Sequence, residues 1–338
     1  MPNAASRPSP ITASVDFARD GVQHGHLKLP YSRDDSAWGA IMIPITVVKR
    51  GSGPTALLTG GNHGDEYEGP VALFDLARHL RAEEVAGRVV ILPAMNYPAF
   101  RAGTRTSPID KGNMNRIFPG RADGTVSEKI ADYIQRHLLP LADLVLDIHS
   151  GGKTLEFVPF AAVHTLPDAA QQARCVAAME AFNAPYSVML LELDAVGMYD
   201  TAAEAMGKTF VSTELGGGGT ARPETIAVAK RGIRNLLIHA GILDGTIERL
   251  PSTRLDMPDG ACYVTCMQGG LIEYCVGLGD SVRRGEPVAR IHDVEGTGRA
   301  VTEYHTGRDG IVAGRHFPGL AQTGDTIAVI GVPGNEGG

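Results

Sequence analysis

The sequence predicts an α/β protein, a sheet covered by helices on both faces, followed by a smaller all-β unit. Three observations carry that expectation. Between about residues 40 and 240, short apolar runs alternate with segments of helical periodicity. Those runs are continuous rather than alternating, as in strands buried on both faces. After about residue 250 the helical pattern stops and short runs punctuated by glycine replace it.

In order, the strand candidates are AIMIPITVV (40–48), TALLTG (55–60), RVVILPAMN (88–96), DLVLDIHS (143–150) and TFVSTELGG (209–217). Helical spacing appears in GPVALFDLARHLRAEE (69–84), SEKIADYIQRHLLPLA (127–142), PDAAQQARCVAAMEAF (167–182) and ETIAVAKRGIRNLLIHAG (224–241). Gly241 stands where a helix C-terminus favours a left-handed residue. Strands alternating with helices imply the layered arrangement. Beyond the polar stretch 248–260, which holds two prolines, GDSVRRGEPVARI and LAQTGDTIAVIG share the spacing of biotinyl/lipoyl-like barrel halves. The expected organisation is an N-terminal extension over 1–39, an α/β domain over 40–247 and a C-terminal β domain over 248–338.

The 338 residues are 43% hydrophobic and 20% charged, an ordinary globular composition. A formal net charge of −7 argues against a nucleic-acid or anionic-membrane surface, which needs clustered positive charge. MPNAASRPSPITAS lacks the apolar stretch of a signal peptide, and no run approaches the ~18 apolar residues of a membrane span. The expected location is the cytoplasm. Cys175, Cys262, Cys266 and Cys275 are too few for a disulfide scaffold. Cys262, Val264 and Cys266 share one strand face and read as core residues.

Ligands of open α/β sheets bind beyond the carboxyl ends of the strands. TALLTGG runs out into Asn62, His63 and Glu66; RVVILPAM into Asn96; DLVLDI into His149; TFVST into Glu214. Each motif alone has a plain structural reading as a charged turn, a core histidine or a loop acid. Together, if the strands are neighbours, they place two histidines and two carboxylates on one rim. Two histidines and one glutamate are a known catalytic zinc set that keeps a fourth position for water, whose pKa the ion lowers to about 7. His63, Glu66 and His149 are therefore the expected ligands of one Zn2+ per chain, and Glu214 the base that takes and returns a proton. Asp65 and Glu68 read either as hydrogen-bonding neighbours of the ligands or as a solvated helix start. Asp147 would share the strand face of His149. His164, His292, His305 and His316 read as structural.

Residues 97–126 form a long connection rich in Gly, Pro, Asn and Arg, of a length that is usually functional or disordered. Within it, adjacent Asn115 and Arg116 suit a substrate carboxylate, which a guanidinium meets with a planar fork. Arg105 suits a developing oxyanion.

GGNHGDEYEGP, GTRTSPIDKGNMNRIFPG, DLVLDIHSGG and STELGGGG, in this order, resemble the succinylglutamate desuccinylase/aspartoacylase family of zinc hydrolases. The resemblance spans roughly residues 40–338 and implies a zinc-carboxypeptidase-like mixed sheet with a C-terminal β domain. It implies zinc on His63, Glu66 and His149, a carbonyl-polarising Arg105, carboxylate contacts from Asn115 and Arg116, and Glu214 as general base. YSRDDSAWG, GGNHGDEYEGP and FRAGTRTSPID are similar to the branch that deacetylates N-acetyl-L-2,4-diaminobutyrate in ectoine degradation. The expected substrate is thus a small N-acyl amino acid. Glu192, Asp194 and Asp200 are candidates to meet a substrate amine. Other N-acyl-amino-acid deacylases, of succinylglutamate or acetylaspartate type, and metallocarboxypeptidases are the alternatives. A biotin or lipoyl carrier is excluded, because no lysine follows Lys230. The β domain is expected either to shape the site's mouth or to form a homo-oligomer, a dimer first.

Overall fold

The computed structural model describes residues 7–190 and 196–334. Its first strand, β1 (Thr12–Ala13), pairs with β2 (Gly21–Pro30), and β2 runs antiparallel to β3 (Ala40–Arg50) along its whole length. There follow β4 (Thr55–Gly60), α1 (Glu68–His79), β5 (Gly87–Leu92), α2 (Tyr97–Ala102), α3 (Val126–Tyr133) and β6 (Leu144–His149). Next come β7 (Leu155–Phe157), β8 (Phe160–His164), α4 (Ala169–Phe182), β9 (Tyr186–Leu190), α5 (Tyr199–Glu204), β10 (Thr209–Glu214) and α6 (Pro223–His239). The sheet order is β1-β2-β3-β5-β4-β6-β10-β8-β9. Its centre, β5-β4-β6-β10, is entirely parallel. This is a mixed α/β fold.

The central strands are buried on both faces, which explains their unbroken apolar runs. Ala56 and Leu58 point into the core under α1, α4 and α6, whereas Leu57 points into the opposite core with residues of α3 and α5. Helix α3 starts at a reciprocal cap: the Glu128 amide donates to Thr125 Oγ1, and the Thr125 amide donates to Glu128 Oε2 at 2.7 Å. The expected helix over 127–142 leaves regular α geometry after Tyr133, passes through a wider turn at Ile134–Leu138 and ends in a tight turn at Leu139–Leu141. Pro140 has no amide hydrogen to continue the ladder. Gly241 lies just past α6 with φ 69°, as its position implied.

The sheet begins well before residue 40. In β2 only Gln23, Leu27 and Leu29 are buried, so the strand alternates instead of presenting a continuous apolar run. Hydrogen bonding also crosses residue 248. β11 (Thr253–Asp256) pairs with β9 and extends the sheet. The remaining strands are β12 (Tyr263–Thr265), β13 (Gly270–Tyr274), β14 (Ser281–Val282), β15 (Pro287–His292), β16 (Thr302–His305), β17 (Gly310–His316), β18 (Leu320–Ala321) and β19 (Thr326–Pro333). β19 pairs with β11 and β17 pairs with β7, while β13, β15, β16 and β18 form a separate sheet. Cys175, Cys262 and Cys266 are buried, Cys275 is exposed, and all four are free. Among the described residues no helix is long and apolar enough to cross a membrane.

Candidate active site at three adjacent strand ends

The parallel centre brings the strand-end residues to one rim. Strand β4 leads into Asn62, His63 and Glu66; β6, beside it, ends at His149; β10, next again, ends at Glu214, which is in register with His149. The turn after β4 is tight because Gly64 lies against α2. A Cβ there would come within 2.0 Å of the Ala99 carbonyl carbon, a space only glycine fits.

His63, Glu66 and His149 are buried, and their ligand atoms lie within 4.8 Å of one another. Both imidazoles turn Nδ1 to the Glu66 carboxylate, at 2.6 Å for His63 and 2.8 Å for His149. The outward nitrogens also have partners: His63 Nε2 is 3.2 Å from Asn113 Oδ1, and His149 Nε2 is 2.7 Å from Asp147 Oδ2. Outer acceptors of this kind fix a ligating histidine's orientation and leave its other nitrogen free for a cation. The donor set therefore fits a divalent metal.

Asp147 is itself held by the Thr59 hydroxyl, which donates to Oδ1 at 2.7 Å, and by Asn62 Nδ2, which donates to Oδ2 at 2.9 Å. Burial acts to lower the His149 pKa, but the Asp147 and Glu66 carboxylates hold it well above its ordinary value. Burial likewise opposes ionisation of Glu66, yet the two histidines hold its carboxyl below the usual range. Asp65 and Glu68 are 3% and 1% exposed and belong to the interior, not to a solvated helix start. Asp65 Oδ2 accepts from the Lys153 amide at 2.9 Å, tying the loop after His149 to the turn after β4. Burial raises the Glu68 pKa to about 7.

A cavity of about 350 Å³ opens onto this cluster. His63, His149, Glu214, Arg105, Asn115 and Arg116 all line it. Arg105 Nη1 lies 3.6 Å from Glu66 Oε1, and 43% of its side chain remains exposed to meet a ligand. Glu214 Oε2 is buried without a hydrogen-bond partner. Burial, reinforced by the charge of Glu66, raises its pKa to about 8, against the opposing effects of His149 and Arg105. Asn115 Oδ1 accepts from the Tyr199 amide at 3.0 Å, and Arg116 Nη1 donates to the Asn115 carbonyl at 2.7 Å.

Sequence reasoning missed Asn113, although its spacing from Asn115 in NMNR carries a signal: its side chain also accepts from the Asn115 amide at 3.1 Å. His164, read as structural, lines the cavity, as does Asp200. Glu192 and Asp194 lie outside the described residues. Met257, Tyr263, Thr326 and Val329 bring residues beyond 248 into the same wall.

Residues 52–240 match the succinylglutamate desuccinylase/aspartoacylase catalytic domain, and the chain belongs to that family. It is accordingly an amide-cleaving hydrolase. It is 59% identical to the N-alpha-acetyl-L-2,4-diaminobutyric acid deacetylase of Halomonas elongata over 96% of this chain and 95% of that one. The product-bound ectoine utilization protein EutE (DoeB) from Ruegeria pomeroyi is 61% identical, with a TM-score of 0.95 over 96% of this chain and 99% of that one. A succinylglutamate desuccinylase/aspartoacylase from Rhodobacter sphaeroides is 43% identical, with a TM-score of 0.92 over 96% of this chain and all of that one.

Proposed function

We propose that this chain is a zinc-dependent deacetylase that hydrolyses N-acetyl-L-2,4-diaminobutyrate to L-2,4-diaminobutyrate and acetate, within ectoine degradation. One observation carries the chemistry: the His63, Glu66 and His149 cluster borders a cavity that also holds two arginines and Glu214, whose Oε2 is buried without a hydrogen-bond partner among the described residues. The substrate rests on likeness to the Halomonas and Ruegeria proteins.

His63 and His149, through Nδ1, and Glu66 would hold the ion. When bound, zinc supplies Lewis-acid polarisation of the acetyl carbonyl and a lowered pKa for its water. Arg116 and the Asn115 amide group hold the substrate α-carboxylate. Arg105 donates to the acetyl oxygen as negative charge develops there. Glu214 Oε2 accepts a proton from the attacking water and hands it to the departing nitrogen as the C–N bond breaks. Burial, which raises the Glu214 pKa above the ordinary carboxylate value, suits it to carry the proton until the nitrogen takes it. Met257, Tyr263, Thr326 and Val329, from the part read as a biotinyl/lipoyl-like unit, close one side of the cavity and limit the size of the acyl amino acid.

The test is acetate release from N-acetyl-L-2,4-diaminobutyrate by the zinc-loaded protein, with Glu214→Ala alongside. Release that falls about 10²–10⁴-fold in the variant is expected. Release that survives in the variant would remove Glu214 from the chemistry. No release from wild type that holds zinc would overturn the substrate.

A further inference from the structure

We infer that Asp200 is the specificity residue that receives the free side-chain ammonium of the substrate. This rests on the N-acyl diamino acid reading above and adds to it the group that distinguishes a diamino acid from other acyl amino acids.

Among the described residues lining the cavity, Glu214 and Asp200 are the carboxylates. Glu214 is occupied with the proton that travels from water to the leaving nitrogen, so among the described residues Asp200 is the cavity carboxylate available for recognition. Its position is fixed by the loop that binds the other end of the substrate. The Tyr199 amide donates to Asn115 Oδ1 at 3.0 Å, and the Phe118 amide donates to the Gly197 carbonyl at 2.9 Å. The start of α5 is thus docked on the segment that carries Asn115 and Arg116. A substrate whose α-carboxylate lies on those two residues brings a short side chain towards Asp200.

The environment of Asp200 favours a cation. It is 7% exposed, and the cavity it lines also presents Leu155, Phe157, Phe160, Leu190 and Met198. Its Oδ1 accepts from the Thr201 amide at 2.6 Å. Its Oδ2 lies 3.8 Å from His164 Nε2, beyond hydrogen-bond distance, while His164 Nδ1 meets the Glu204 carboxylate at 3.0 Å. A buried carboxylate paired at that distance is poorly compensated, and a primary ammonium with three donors supplies what it lacks. Burial accordingly raises the Asp200 pKa, with His164 in partial opposition. The same charge repels a side-chain carboxylate, so Asp200 rejects acetylaspartate-like substrates as well as selecting diamino acids.

Zinc-loaded wild type and Asp200→Asn are compared by kcat/KM on N-acetyl-L-2,4-diaminobutyrate and on N-acetyl-L-2-aminobutyrate, which lacks the amine. Binding of L-2,4-diaminobutyrate is measured by calorimetry in parallel. The ratio of the two kcat/KM values is expected to fall about 100-fold in the variant, mainly through KM, because one partner of a buried charge pair is lost. Diaminobutyrate binding should weaken by a similar factor. Both substrates declining in step would make Asp200 structural and overturn the assignment, as would a ratio unchanged within threefold. Wild type that cleaves the aminobutyrate compound but not the diamino compound would instead overturn the substrate reading and Asp200's role with it.

Discussion

Asparagine at position 147 keeps the shape of a side chain that is 1% exposed and removes its charge. Three donors converge on this carboxylate: the Thr59 hydroxyl at 2.7 Å, Asn62 Nδ2 at 2.9 Å and His149 Nε2 at 2.7 Å. An amide offers one acceptor and one donor, so in either orientation its nitrogen confronts a donor of this set. The cheaper orientation keeps the oxygen towards Asn62 and His149 and turns the nitrogen to Thr59, whose hydroxyl can rotate to accept. His149 then retains a partner but loses the charge-assisted bond, which is about twice as strong as a neutral one. Loss of such a partner behind a ligating histidine typically costs about 10–100-fold in metal affinity, or roughly 1.4–2.7 kcal/mol. The assay is zinc affinity by chelator competition for wild type and Asp147→Asn, with circular dichroism to verify the fold. Zinc affinity within threefold of wild type in a folded variant would refute Asp147 as the residue that orients His149.

Two further perturbations test the turn after β4 and the arginine loop. Gly64→Ala places a methyl group against the Ala99–Phe100 backbone, which cannot yield as a side chain would. The turn must open, so zinc affinity should fall about tenfold or more with little change in helix content; wild-type affinity would show the close approach to be dispensable. Asp110 accepts from the Ser127 amide at 2.7 Å, the Ser127 hydroxyl at 2.9 Å and the Gly112 amide at 3.1 Å, joining the loop to the start of α3. Burial acts to raise its pKa, but these bonds outweigh it and hold the carboxyl below its ordinary value. A depressed folded value means stabilisation that is complete above the unfolded pKa of about 3.9 and is lost as pH falls through the folded one. Asp110→Asn should therefore cost about 1–2 kcal/mol in denaturant unfolding at pH 7, with a smaller difference from wild type below about pH 4. A difference that does not change with pH would contradict this.

The central sheet and the rim were legible in the sequence for one physical reason. Strands buried on both faces are largely apolar, so ionisable or amide side chains gathered at their carboxyl ends stand out. In β4, β6 and β10 those are Asn62, His149 and Glu214, at or immediately after the strand. Strand β2 was overlooked because it alternates, with Leu27 and Leu29 inward and its charged and polar residues largely outward. Pairing of β7 with β17, and of β9 with β11, joins segments far apart in sequence and leaves no local signal. The same holds for His164, read as structural, whose place in the cavity depends on how β8 docks; Asp200 was one of three acids named for a substrate amine, and its place in the cavity depends on how α5 docks. Asn113 was overlooked for a different reason: a loop asparagine has no periodicity, so beyond its spacing from Asn115 it is its contact with His63 that marks it.

The central claim is that His63, Glu66 and His149 hold one catalytic zinc. It is tested most directly by stripping the protein with a chelator and restoring zinc stepwise, following bound metal and acetate release together. Activity should vanish on stripping and return in proportion to zinc, reaching its maximum at one equivalent per chain, and Glu66→Gln should abolish both. Full activity in metal-free protein, or one tightly bound zinc retained in the variant, would contradict it.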